Sequence, residues 1–153
     1  LLKFPASAVR PQGRGAAGMA GIRTAEAARV VGFSVVPEGA DASVVTVAGS
    51  GSTVATAKVT PLHEFPAKGR GTGGVRCQRL LKGETAIIAA TAAADPAACN
   101  AAGASVPLPE PDDRRDASGQ PVSSRLAHVG GGIPPWAVAA PDPALDTTSS
   151  VPE

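Results

Sequence analysis

The 153-residue chain carries 14 Lys and Arg against 13 Asp and Glu, a formal net charge of +1, and is 43% apolar. Aromatic residues make only 3% of it, while 18 Gly and 15 Pro interrupt it throughout, which argues against long helices and leaves an all-β fold rich in turns, or a partly disordered chain, as the leading classes. Cys77 and Cys99 lack the close spacing to each other, or to His63 and His128, that a zinc site needs, and are expected as reduced thiols. No apolar run reaches the ~18 residues of a membrane span.

The charge is unevenly divided. Residues 1–91 hold eleven basic against five acidic residues, and residues 92–153 hold three against eight. A basic body with an acidic end points to a polyanionic partner for the body.

In chain order, LLKF (1–4) reads as a strand, and the chain opens without methionine in the middle of a structural unit, as a fragment of a larger protein would. The stretch FPASAVRPQGRGAAGMAGIR (4–23) holds a glycine loop, and MAGIR (19–23) and ARVVGFSVV (28–36) read as strands after it. A second unit follows: strand SVVTVAG (43–49), a variable turn over 49–56, strand KVTPLHEF (58–65), glycine loop GRGTGG (69–74), strand VRCQRLL (75–81), a turn at Lys82 and Gly83, and strand TAIIAAT (85–91). Gly13, Arg14, Gly15, Gly18 and Arg23 superpose on Gly69, Arg70, Gly71, Gly74 and Arg79 at one constant offset. A whole unit is therefore repeated, at the spacing of propeller-like blades.

The division expected from these elements is 1–42 as the C-terminal part of a blade, 43–92 as a complete blade, 93–129 as a degenerate last blade or extended segment, and 130–153 as a disordered tail. From Ala92 on, Ala, Pro, Ser and Gly dominate, and much of this stretch is expected to be mobile, with short strands over 104–109 and 121–129 separated by the turn RRDASG (114–119).

GRGAAG (13–18) also fits the G-x-G-x-x-G pattern of a dinucleotide-binding fold, and Glu38 stands where a ribose-binding acid would. That fold needs an apolar strand running into the first glycine and a helix opening from the last. Pro11 and Gln12 precede one loop and Lys68 the other, so the fingerprint is the weaker reading.

Glycine on both sides of Arg14 and Arg70 removes two Cβ atoms from each turn, which opens positive φ and admits a bulky partner. A planar guanidinium held on such a loop forks onto phosphate oxygens. Repeated at blade spacing, such cations suit the regular charge of duplex DNA, about one per 1.7 Å of axis, and would position or bend it without reading sequence. His63 beside Glu64 has no nucleophile nearby and reads as a surface strand residue.

The stretches LLKFPASAVRPQGRGAAGMAGIR and KVTPLHEFPAKGRGTGGVRCQRLLKGE resemble the C-terminal domain of the A subunit of bacterial type IIA topoisomerases, that is, DNA gyrase or topoisomerase IV. The resemblance covers residues 1–91 and implies a partial β-pinwheel: about two four-stranded blades followed by a degenerate or disordered Pro/Ala-rich tail. It implies a non-catalytic module that wraps or bends duplex DNA on a basic outer rim. Arg14, Arg23, Lys68, Arg70, Arg76, Arg79 and Lys82 are its implied DNA contacts, with Lys58 a weaker one, and Gly13, Gly15, Gly18, Gly69, Gly71 and Gly74 its structural loop glycines. Neither loop reproduces the glutamine-arginine-rich box of gyrases, which favours a topoisomerase IV-like or generic A subunit.

These enzymes cleave DNA through a tyrosine hydroxyl, and the chain contains no tyrosine. No catalytic residue, metal or cofactor is therefore expected in it; the parent enzyme would use ATP and magnesium through other domains. Its implied partners are double-stranded DNA, the remainder of the A subunit and the ATPase subunit, in the cytoplasm at the nucleoid and with no membrane. The alternatives are a β-propeller-like protein-interaction scaffold and a dinucleotide-binding oxidoreductase fragment.

Overall fold

β-Branched residues fill SVVTVAG, which forms strand β1 (Ser43–Gly49) with the predicted limits. Residues 1–50 and 55–131 are described by the structure, a computed structural model. Strand β2 (Thr56–Pro61) pairs antiparallel with β1, Thr46 opposite Lys58 and Val47 opposite Ala57. It stops at Pro61, four residues before the predicted end. Leu62–Glu64 then forms a 3-10 turn, with the Leu62 N–H donating to the Ala42 carbonyl at 2.7 Å. Strand β3 (Ala86–Ala93) pairs with the other edge of β1, with a register shift between Val47 and Ala48.

The fourth strand of this sheet does not come from 75–81. Strand β5 (Gln120–Pro121) takes the place beside β2, giving the order β3-β1-β2-β5. Strands β4 (Pro96–Cys99) and β6 (His128–Gly131) form a separate antiparallel pair. The described residues thus make an all-β structure with two 3-10 turns, as expected of a partial pinwheel.

The two faces of the main sheet differ in chemistry. Val47, Ala55 and Ala57 pack against Ala98, Val106, Val122 and Leu126, with Ala89, Leu108 and Val129 around them. Each fully buried valine or leucine here contributes about 1.5–3 kcal/mol. Four of the seven buried core residues come from the Ala- and Pro-rich part of the chain that composition marked as mobile. Residues 96–131 nevertheless fold onto the sheet, because an apolar sheet face that no helix among the described residues covers recruits any Val or Leu the following chain supplies. The predicted RRDASG turn is present, the Ala117 N–H donating to the Arg114 carbonyl at 2.9 Å. The tail from 132 on, including Trp136, lies outside the described residues.

The opposite face carries Thr46, Thr56, Lys58 and Thr60, all buried, and segment 75–84 covers it. Gln78 is the hub. Oriented as its neighbours require, its amide nitrogen donates to the Thr46 carbonyl at 3.2 Å and the Thr46 Oγ1 at 2.8 Å, its oxygen accepts from the Gly119 N–H at 3.3 Å and faces Thr56 Oγ1 at 2.9 Å, and the Thr56 hydroxyl donates to Glu84 Oε1. Gly119 lies so close that an added Cβ would fall 2.4 Å from the end of the Gln78 carboxamide. Segment 75–81 therefore lies over the sheet, anchored by a side chain, and its one bridge joins Arg79 to Ser118.

The first unit forms no regular strand. Its apolar run 28–36 lies against the outer edge of β3, where the Ala92 N–H donates to Ser34 Oγ at 3.0 Å and a Cβ on Gly32 would collide with the Ala90 carbonyl. A side-chain hydroxyl takes the bond that a ladder would give to backbone. Val30, Phe33 and Val35 are left exposed. LLKF contributes one bridge, Lys3 to Ala67.

Candidate nucleic-acid interface

Both Gly-Arg-Gly sequences fold into a four-residue turn with the arginine in second position. The Ala16 N–H donates to the Gly13 carbonyl at 3.1 Å, and the Thr72 N–H to the Gly69 carbonyl at 3.3 Å. The turns differ in type. Gly71 has φ +75°, as the third position of a type II turn requires, whereas Gly15 is not in the positive-φ region and the first loop uses that freedom later, at Gly18 (φ +87°). Loops matched in sequence therefore follow different backbone paths. Gly74 is required for another reason: a Cβ there would fall 2.1 Å from the Leu1 carbonyl oxygen. Gly13 and Gly15 have open space where a Cβ would lie, and at Gly69 it would only touch Thr72.

The two units interlock through these loops. Leu1 and Val75 exchange backbone hydrogen bonds at 2.7 Å, and the Lys68 N–H donates to the Lys3 carbonyl at 2.8 Å, so LLKF runs between the two arms of the second loop. At the tip of that loop the Gly71 N–H donates to the Gly21 carbonyl at 2.7 Å, and the Arg23 N–H to the Thr72 carbonyl at 3.1 Å.

Arg14, Arg23, Lys68, Arg76, Arg79 and Lys82 are all exposed. Lys82 sits with Gly83 (φ +95°) in the predicted turn, closed by the Glu84 N–H donating to the Leu81 carbonyl at 3.0 Å. Arg70 differs from the rest. It is half-buried, with Nε donating to the Ala8 carbonyl at 3.0 Å and Nη1 to the Ala20 carbonyl. Lys58, read from sequence as a weaker contact, is only 3% exposed and donates to Thr60 Oγ1 on the same strand, so it faces no polymer. Burial lowers its pKa, against the pull of Asp112.

Around it gathers part of the acidic half of the chain. The Arg114 side chain and backbone N–H hold the Asp112 carboxyl below the usual carboxylate range, with guanidinium contacts of 3.1 and 3.2 Å. Sequence reasoning missed this arrangement, since charge counting treats Lys58 and Asp112 as surface groups. The strand pattern carried a signal: Lys58 shares a sheet face with Thr46 and Thr60, both buried. His63 stands on the 3-10 turn and not on a strand, exposed, 3.4 Å from Glu64 Oε1.

No α-helix leaves either glycine loop, which removes the dinucleotide-binding alternative, because its pyrophosphate site is a helix N-terminus. Among the described residues no cluster of three or more His, Cys, Asp or Glu could hold a metal ion, and no helix is long and apolar enough to cross a membrane.

Residues 1–37 and 55–91, the two interlocked units, match the family model described as DNA gyrase C-terminal domain, beta-propeller. Over these stretches the chain belongs to the DNA gyrase C-terminal domain family. Comparison with curated proteins finds no match. The family places the chain with topoisomerase A subunits, and each matched stretch contains one Gly-Arg-Gly turn with the cations around it.

Proposed function

We propose that this chain is a non-catalytic DNA-binding module of a type IIA topoisomerase A subunit, bending duplex DNA along the cations of its paired glycine-loop units for topology change by the parent enzyme. The observation that carries the reading is that Arg14, Arg23, Lys68, Arg76, Arg79 and Lys82 all stand exposed on segments belonging to the family-matched stretches. Exposed cations on backbone-anchored loops neutralise phosphates and displace counterions without reading base edges.

Duplex DNA, the remainder of the A subunit and its ATPase subunit are the partners of this reading, and the cytoplasm is its compartment. ATP and magnesium belong to other domains of the parent. Absence of the gyrase-type box from both loops favours a topoisomerase IV-like or generic A subunit.

The test is binding of a mixed-sequence duplex of about 30 base pairs, followed by fluorescence anisotropy across salt concentrations, with end-to-end energy transfer reporting bending. Binding with a log K against log salt slope of several units, unchanged by sequence, supports the proposal. Absence of binding at 50 mM salt overturns it.

A further inference from the structure

Residues 9–19, between the carbonyls of Ala8 and Ala20, form a surface excursion that is exposed throughout except at Met19. It carries Arg10 and, on its Gly-Arg-Gly turn, Arg14. A loop of this kind keeps its shape only where its two ends are held together. Here one side chain from the other unit touches both ends: Arg70 Nε donates to the Ala8 carbonyl and Nη1 to the Ala20 carbonyl. The backbone beside it adds two further bonds, from the Gly71 N–H to Gly21 and from the Arg23 N–H to Thr72. The guanidinium suits this role because its donors diverge from one rigid plane, whereas a lysine ammonium is a single point.

We infer that the two arginines, identical in motif, have divided roles: Arg70 is a positioning residue that clasps the neck of the 9–19 loop, and Arg14, held out by that loop, is the phosphate contact. The division rests on the DNA-binding reading for Arg14 but not for the clasp itself. Two of the Arg70 donors are already committed to carbonyls, and its side chain is half-buried. Arg14 is exposed and its guanidinium makes no hydrogen bond among the described residues.

The full 153-residue chain serves for the test, as wild type, R14A, R70A, R70K and R14A/R70A, with the same 30-base-pair duplex as probe. Amide exchange reads the clasp without DNA: R70A and R70K both speed exchange at Gly71 and Arg23 at least tenfold and leave β1 and β2 unchanged. Unchanged exchange at those two amides overturns the clasp, whether or not the chain binds DNA. Faster exchange in a chain that binds no DNA upholds the clasp and sinks the DNA reading alone.

In binding, R14A lowers the salt slope by about 0.9 without altering exchange. R70K, which keeps the charge, weakens binding as much as R70A does, and the double variant binds no more weakly than R14A. A R70K variant with wild-type affinity and slope, or additive losses in the double variant, would make Arg70 a phosphate contact in its own right and overturn the division.

Discussion

The N–H of Gly71 donates to the carbonyl of Gly21 at 2.7 Å, joining the tip of one glycine loop to the foot of the other. Repeats in a propeller-like array usually meet through sheet faces. Here the two family-matched stretches meet loop to loop, and Arg23, Lys68 and Arg76, with Arg14 on the adjoining loop, are carried on that junction. The loop junction therefore sets their relative positions, and substitutions that loosen it act on binding without removing a charge.

Gly74 is the tightest point of the junction. G74A places a methyl group 2.1 Å from the Leu1 carbonyl oxygen, a backbone atom that cannot swing aside. The N-terminal segment must shift away from Val75, at a cost of about 1–3 kcal/mol. Urea denaturation should show the loss, and the Val75 amide should exchange faster; G73A, where a Cβ meets nothing within 4 Å, is the control.

Gln78 tests the polar face of the sheet. Q78L removes the carboxamide that partners the buried Thr46 and Thr56 hydroxyls, so a destabilisation of about 1–3 kcal/mol is expected from unfolding curves. Adding T46V should recover part of it, since two apolar groups in place of two bonded ones restore balance. A double variant as unstable as the sum of the singles would count against the network.

How much of this was legible in sequence differs by element. Strand β1 was, because five of its seven residues are Val, Thr or Ala within a clear pair of glycine signals, and it sits at the sheet centre where pattern and burial agree. The segments 28–36 and 75–81 have equally good strand patterns and form no strand. The first meets the edge of β3 through the Ser34 hydroxyl; the second is drawn across the sheet by Gln78. Periodicity reports which residues want burial, not which edge is free to pair. The paired Gly-Arg-Gly turns were legible from the repeat. The burial of Arg70 was not, because nothing local distinguishes it from Arg14.

The ordering of 96–131 carries a further prediction. A chain ending at residue 95 loses Ala98, Val106, Val122 and Leu126 and exposes Val47 and Ala57, several kcal/mol of burial in all. It should show no cooperative thermal transition by circular dichroism, even though it contains both family-matched stretches whole. A sharp melt at the temperature of the full chain would refute this account of the core.

Lys58 gives the pH dependence. Burial lowers its folded-state pKa from the ordinary 10.5, so between the two values the unfolded chain binds more protons than the folded one. Stability from this residue therefore rises with pH across that interval, up to about 10.5, and the cost of burying the ammonium is fully present below it. K58M removes the cost and keeps the apolar stem, so near pH 7 it should be more stable than wild type by about 1 kcal/mol or more. The gap should narrow as the solution is made alkaline. Denaturant midpoints for both proteins from pH 7 to 10.5 measure the difference directly, and a gap independent of pH would mean that Lys58 is neutralised by Asp112 and not strained by burial.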